Sequence, residues 1–424
     1  MMTSRMMKLG YVALACGLVS MTCARGDSTS SAAVSSSSSS SSMGSGTEVR
    51  AGKEGTGKPY TITVALRQEY DDNINTSANN EQGSFKTIVS PGIVFNYPMD
   101  ATLISFSYNF GMTYYWDRPG DDFDFSHLAS ARVNHRFSDR FRLDVRDQFR
   151  FAQEAEGRSG SAIQRFLGDG FNNTFTADGT AQWTERFSTI TGYGNIIDRY
   201  DNSTVGLVND QITHQVRQDF QFSVLPTTTA VAAYNYETTD YTDGNLLTTR
   251  DFDRHRVTVG ADHYILDNWL VSGRGGAEFV LYEDRTLGDR ANPYVDISTA
   301  WTYLPGSKLR VSYNFGTNLT DDGFSGSSLG HTFRLDITHA ITQKLSAGGN
   351  LTYMAQTLDR STSLGAVNNN EIDENTVMAG LNLNYSINDY LSATAGYIYS
   401  MVDSDDAARE YWRNQVYIGV TAKY

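Results

Sequence analysis

Val416-Tyr417-Ile418-Gly419-Val420-Thr421-Ala422-Lys423-Tyr424 is the stretch that decides the fold. Val416, Ile418, Val420, Ala422 and Tyr424 fall on alternate positions, with Tyr417, Gly419, Thr421 and Lys423 between them. A period of two puts one set of side chains on each face of a sheet. The same split recurs upstream, in Leu391, Ala393, Ala395, Tyr397 and Tyr399 against Ser392, Thr394 and Gly396. It recurs again in Ile104, Phe106, Tyr108, Phe110, Met112, Tyr114 and Trp116 against Ser105, Ser107, Asn109 and Gly111.

From Tyr60 to Tyr424 the chain repeats this unit: an alternating run of ten or more residues, then a turn. Short turns (RFSDRFRLDV, ILDNWLVSG, LPGSKLRVS, INDYLSATAG) alternate with long polar loops (YDDNINTSANNEQG, EGRSGSAIQRFLGDG, TDDGFSGSS, GAVNNNEIDEN). Each repeat is one hairpin. The runs predict about eighteen strands, the first opening at Tyr60 and the last near Trp412, with others opening near Tyr294, Gly330 and Asn375. Tyr (25), Phe (21) and Trp (5) abound while Pro (7) is scarce and charge is only 19%, which is strand composition. Runs this long, with aromatic residues near their ends, set the chain apart from a soluble β-sandwich. Short turns on one side and long loops on the other is the asymmetry of outer-membrane barrels. The fold expected is therefore all-β, a transmembrane antiparallel up-and-down β-barrel over residues 60–424, polar inside and apolar outside.

The N-terminus agrees with export. Residues 1–24 read as a signal peptide: MMTSRMMK carries only positive charge and LGYVALACGLVSMTCA is largely apolar, with Thr22 and Ala24 as the small residues of a cleavage site. Lipidation at Cys16 is the alternative, although the stretch lacks an aliphatic residue three positions ahead. Cys16 and Cys23 are the only cysteines, so cleavage after Ala24 leaves no disulfide, thiolate metal site or cysteine nucleophile. Loss of Arg5 and Lys8 with the signal takes the net charge from -14 to -16, the wrong sign for a nucleic-acid partner. Residues 25–59, with the run Ser35 to Ser42, form a polar Ser/Gly-rich segment too poor in apolar side chains to fold, and too short to make a plug domain.

Glu69-Tyr70-Asp71-Asp72-Asn73-Ile74 at the end of the first run and Thr87 to Ile93 (TIVSPGI) in the second resemble the putative outer-membrane beta-barrel porin 2 family. The resemblance covers residues 60–424. It implies a porin-shaped outer-membrane barrel, an association with exopolysaccharide export in some members, and no catalytic residues to carry over. The aromatic C-terminus, Tyr424, also looks like the signal by which the barrel-assembly machinery recognises a client.

No Gly-x-Ser-x-Gly, His-Glu-x-x-His or phosphate-binding glycine loop occurs, so no enzyme, cofactor or metal site is expected. His127, His135, His255, His263 and His339 share parity with the apolar face, which reads as interfacial. Acidic loop pairs such as Asp71-Asp72, Asp121-Asp122 and Asp321-Asp322 could recruit cations that bridge lipopolysaccharide phosphates, but none has calcium-loop spacing, and solvated loop charge is the better reading. The polar face is more informative. Arg132 and Arg136, then Arg140, Arg142, Arg146 and Arg150, fall on the inward parity of two hairpin partners. An arginine ladder on a channel wall would favour anions; alternatively the arginines pair with inward acids such as Asp124, Asp144 and Asp178. Elsewhere the inward charges are mixed, Arg67 beside Glu69, Arg217 beside Asp219, Arg274 beside Glu278 and Arg334 beside Asp336. The expected function is a pore for small hydrophilic solutes, with Arg132, Arg136, Arg142, Arg146 and Arg150 lining it and outer-membrane lipid and lipopolysaccharide around it. Export of a polymer such as exopolysaccharide, or a non-conducting adhesin or structural barrel, is the alternative.

Overall fold

The computed structural model describes residues 59–153, 169–201, 205–206, 209–241, 250–318, 320, 324–361, 364 and 371–424. The expected signal peptide, the polar segment up to residue 58 and residues 154–168 of the long third loop lie outside the described residues. The described residues form eighteen strands: β1 (Tyr60–Asp71), β2 (Ser84–Pro98), β3 (Thr102–Tyr115), β4 (Phe123–Arg136), β5 (Phe141–Ala152), β6 (Gly170–Gln182), β7 (Phe187–Tyr200), β8 (Gln211–Leu225), β9 (Thr228–Tyr241), β10 (Phe252–Leu266), β11 (Trp269–Tyr282), β12 (Arg290–Leu304), β13 (Ser307–Asn318), β14 (Ser325–Ala340), β15 (Leu345–Arg360), β16 (Glu371–Ser386), β17 (Leu391–Ser404) and β18 (Tyr411–Lys423). Each pairs antiparallel with its neighbours in the chain, and β1 pairs with β18, so the sheet closes. Closure leaves no edge, which matters in hydrocarbon because an unsatisfied backbone group there costs several kcal/mol.

Exposure is inverted relative to a water-soluble protein. Val416, Ile418 and Leu381 are 56%, 63% and 65% exposed, whereas Glu69, Asp71, Glu278 and Arg413 are 2%, 0%, 0% and 3% exposed. Apolar side chains thus take the outside and charged ones the wall of the lumen, the arrangement that lipid on one face and water on the other selects.

The short turns encode themselves. In three of the four-residue turns a hydroxyl accepts from the backbone N–H two residues on: Ser138 from Arg140, Thr184 from Arg186 and Thr342 from Lys344, and the Asn388 side-chain oxygen accepts from Tyr390 in the fourth. These are side-chain-capped turns, which is why Ser, Thr and Asn recur there. The two-residue turn at 305–306 uses Gly306 at φ +80°, a conformation that favours glycine.

All seven histidines stand on the outer face, and each Nδ1 is hydrogen-bonded to a hydroxyl, on an adjoining strand in six cases and on β12, across β13, for His339. Tyrosines serve His127, His214, His255, His331 and His339 at 2.8–3.0 Å. Threonines serve His135 and His263 at 2.6 and 2.9 Å. On β4, β10 and β14 the histidines come in pairs eight residues apart (127 and 135, 255 and 263, 331 and 339). Eight residues span about 27 Å along a strand and, at a tilt of about 40°, about 20 Å of height, close to the ~25 Å apolar band of such barrels. The histidines therefore lie in two belts, with the membrane band between them.

Three strands begin earlier than the alternation predicts. β12 starts at Arg290 rather than Tyr294, β14 at Ser325 rather than Gly330 and β16 at Glu371 rather than Asn375. In each case the added residues lie at the long-loop end, beyond the apolar band, where the pattern is too short or too irregular to read as a strand: Ser325-Gly326-Ser327-Ser328, Glu371-Ile372-Asp373-Glu374, and Arg290-Ala291-Asn292-Pro293 with its proline.

Candidate pore interior

Register settles which side chains share the lumen wall. On β4 and β5, Arg132 stands directly opposite Arg146, Arg136 opposite Arg142, and Leu128 opposite Arg150. Arg140 lies in the turn between them, outside both strands. Like charges directly opposed across strands are destabilising unless something neutralises them. Asp144 does so for one pair: its carboxylate accepts from Arg132 at 2.5 Å and Arg146 at 2.7 Å, and from Asn134 Nδ2 at 2.8 Å. Both guanidinium groups remain nearly half exposed, at 44% and 45%. Arg136, Arg142 and Arg150 have no ion pair among the described residues, and Arg136 and Arg142 are exposed at the short-turn rim. Two other acids that the sequence offers as partners are taken elsewhere, Asp124 by Arg118 at 2.9 Å and Asp178 by Arg217 at 2.7 Å.

Around the rest of the wall most cations are paired, while Lys308, Arg310, Arg334 and Lys423 have no ion pair among the described residues. Arg67 pairs with Glu69. Arg217 also reaches Asp219 at 3.8 Å, Arg254 pairs with Glu237 at 2.5 Å and Arg409 with Glu374 at 2.7 Å. One sequence pairing is corrected. Arg274 pairs with Asp262 at 2.7 Å, because Glu278, four residues along its own strand, is held by Arg256 at 3.0 Å. Arg334 stands opposite Ser312, and Asp336 opposite Arg310 on β13, and no ion pair joins these side chains among the described residues.

The densest cluster was not legible in the sequence. Where β1 meets β18, Lys86 Nζ lies 2.5 Å from Glu69 and 2.7 Å from Asp71, and Arg413 Nη2 lies 2.7 Å from Asp71. Gln415 Nε2 donates to Glu69 at 3.0 Å, and the Arg67 guanidinium lies 3.7 Å from the Tyr417 ring centroid. Beside this cluster, Asp72 accepts from the Asn414 backbone and side-chain amides at 2.6 and 2.7 Å, and Asn73 Nδ2 donates to the Trp412 carbonyl at 3.0 Å. The Tyr70-Asp71-Asp72-Asn73 motif is thus a clamp on the last strand. Tyr424 completes the other end of the seam, its N–H donating to the Ile62 carbonyl at 2.8 Å and its side chain 69% exposed.

Outside the strands, at the mouth, burial works to raise Asp406, but the Ala408 amide and Arg360 hold its carboxyl below the ordinary aspartate range. Among the described residues no group of three or more His, Cys, Asp or Glu side chains is arranged to hold a metal ion.

Eighteen strands about 4.8 Å apart and tilted about 40° enclose a cylinder of roughly 35 Å backbone diameter. Side chains that reach 6 to 7 Å inward, on the order of an extended arginine, leave about 20 Å across. The β4–β5 wall presents five arginines and one mid-wall carboxylate to that space.

The family model described as "Putative beta-barrel porin 2" matches residues 60–424. No curated protein matches the chain. Among solved structures, the chain is similar to a mutant of the ferric enterobactin receptor PfeA from Pseudomonas aeruginosa, with 9% identity, a TM-score of 0.46, and 88% of this chain and 81% of that one covered. It is also similar to OccAB4 from Acinetobacter baumannii (10% identity, TM-score 0.43, 86% and 98% covered) and to OpdK from Pseudomonas aeruginosa, solved with vanillate (7%, 0.43, 86% and 99%).

Proposed function

The chain belongs to the putative beta-barrel porin 2 family, and on that footing we propose that it is a water-filled, non-catalytic pore of the bacterial outer membrane, passing small hydrophilic solutes passively with a weak preference for anions. One observation carries the reading: an eighteen-strand closed sheet is wider than its inward side chains can fill, and the cations left without a carboxylate on the β4–β5 wall face that space. Elsewhere most inward cations are held in ion pairs that cancel their fields, so the arginine wall biases the sign of the selectivity and the paired wall keeps it weak.

Polymer export draws less support from the interior. Tyr417, Tyr115 and Tyr294, rings on which a sugar could stack, each have a face covered by a guanidinium, of Arg67, Arg118 and Arg256 respectively. Single-channel recording of the refolded chain in a planar bilayer tests the reading. Stepwise ohmic conductance with a reversal potential on the anion side is expected; an intact, heat-modifiable barrel without conductance would overturn it in favour of a structural role.

A further inference from the structure

Asp147 stands on the lipid side of the barrel at half depth. Pairing across β4 and β5 sets His127 opposite Phe151, His135 opposite Leu143, and Asp147 opposite Ala131, midway between the two belt histidines. The same construction on the other strands with two histidines gives Val259, between Ala232 and Gly275, and Leu335, between Val311 and Leu351. A carboxylate at this depth on a lipid-facing surface is costly. It is half-solved within the chain: Asn173 Nδ2 donates to Asp147 Oδ1 at 2.8 Å, while Oδ2 has no hydrogen-bond partner among the described residues.

A second polar pair lies at the same depth on the same side. Gln218 sits four residues from the belt residue His214 and four from Phe222; its Oε1 accepts from Thr191 at 2.7 Å, and its Nε2 donates one of its two hydrogens to the Asp219 carbonyl at 3.3 Å, keeping the other. Between these pairs the outward faces of β6 and β7 carry one ring contact, Phe175 opposite Asp147 against Tyr193 with centroids 6.3 Å apart, and toward the short-turn end only small residues, Ala177, Gly179 and Ala181 with Thr189 and Thr191. Small residues let two membrane surfaces approach closely, and polar side chains then hold them.

We propose that the β5–β8 face packs against a second copy of this chain, related by a two-fold axis along the membrane normal. Such an axis between β6 and β7 keeps every residue at its own depth and lays β5 of one copy against β8 of the other. The open acceptor Asp147 Oδ2 then meets the Gln218 amide of the partner subunit, directly or through a water, and the contact occurs twice. Among the described outward residues no lysine or arginine lies at half depth. A face that carries both the open acceptor and the spare donor is complementary to itself.

Cross-linking in the outer membrane tests this. A Cβ at Gly179 meets nothing closer than 3.7 Å, and one at Gly275 meets nothing within 4 Å, so both positions accept cysteine. G179C, near the proposed axis, should give a dimer with a short bis-maleimide, whereas G275C, on the apolar half-depth of β11, should give no more than the parent chain. Adding D147L and Q218L to G179C should cut the dimer yield about tenfold, the scale of one or two polar contacts at membrane depth. Heat-modifiable mobility shows that each variant is folded, and conductance per barrel should be unchanged, which separates this contact from the pore reading. A G179C dimer no stronger than that of G275C, a conjugate with a different protein, or a yield indifferent to D147L and Q218L would each overturn the proposal.

Discussion

Replacing Arg142 and Arg146 together by Gln should move the pore toward cations by an amount that depends on salt. Each guanidinium sits on the order of 11 Å from the barrel axis, given a backbone radius of roughly 17 to 18 Å and a side-chain reach of 6 to 7 Å. At that distance in water one charge contributes about 0.4 kcal/mol, reduced to about 0.13 kcal/mol by a Debye length of ~10 Å at 0.1 M salt. Two charges lost change the energies of an anion and a cation in opposite directions, so the anion-to-cation permeability ratio should fall about twofold. At 0.01 M salt, where the Debye length is ~30 Å, the same change should be roughly sixfold. Asp144 keeps its contact with Arg132 in the variant, so no buried carboxylate is stranded and the barrel should keep its thermal stability. Reversal potentials of wild type and variant, measured across a tenfold gradient at both ionic strengths, read the effect. A reversal potential indifferent to the substitution at 0.01 M salt would place these arginines outside the conducting path and refute the electrostatic reasoning.

Breaking the seam should be far more costly than altering the arginine wall. Asp71→Asn removes the shared partner of two buried cations, Lys86 and Arg413, and should destabilise the closed barrel by about 3 to 5 kcal/mol, seen as a lower temperature for the heat-modifiable shift; an unchanged shift would count against a seam lock. A protease site placed between Gly365 and Asn370, in the β15–β16 connection, should be cut on intact cells, while one at Asn388 to Asp389 should be protected, and the reverse pattern would invert the topology. Deleting Tyr424, or replacing it with Asp, should lower the amount of folded barrel in the outer membrane without changing synthesis or export; normal levels would remove it from the assembly signal. The Asp406 carboxyl titrates lower in the folded chain than in the unfolded one, so its contribution is complete above the ordinary aspartate value of about 3.9 and is lost as pH falls through the folded value. Hydrogen exchange at the Ala408 amide, which donates to Asp406 at 3.0 Å, should speed up on acidification beyond its intrinsic pH dependence, and constant protection down to pH ~2 would refute the pair.

Strand number and facing were legible in the sequence because lipid and water impose a period of two wherever both are present. Legibility ended where the same physics stops acting. Ser325, Glu371 and Arg290 belong to strands that rise past the apolar band, and nothing in their pattern says so. The arginines of β4 and β5 could be placed on the inward parity, but the sharing of Asp144 depends on register, which a hairpin fixes only once its turn is known. The seam cluster was hidden for a different reason. Asp71 and Arg413 are 342 residues apart, and only closure of the sheet brings them together. Asp147 was visible as an acid in an alternating run; its meaning needed the two histidine belts as rulers.

The β1–β18 pairing makes the barrel a ring of eighteen equivalent neighbour contacts, of which seventeen are spanned by a covalent link and one is not. Geometry alone assigns no first strand. Ile62 and Tyr424 exchange backbone hydrogen bonds of 2.9 and 2.8 Å at the short-turn rim, as a connected pair would. A linker of a few residues could bridge that gap, and the chain could be opened instead at one of the other connections, for example between β15 and β16, with the strand-to-strand hydrogen bonds kept. A circularly permuted barrel of this kind would preserve the architecture while moving the terminal aromatic to an interior position. It would separate what the folded ring requires from what the order of synthesis and insertion requires.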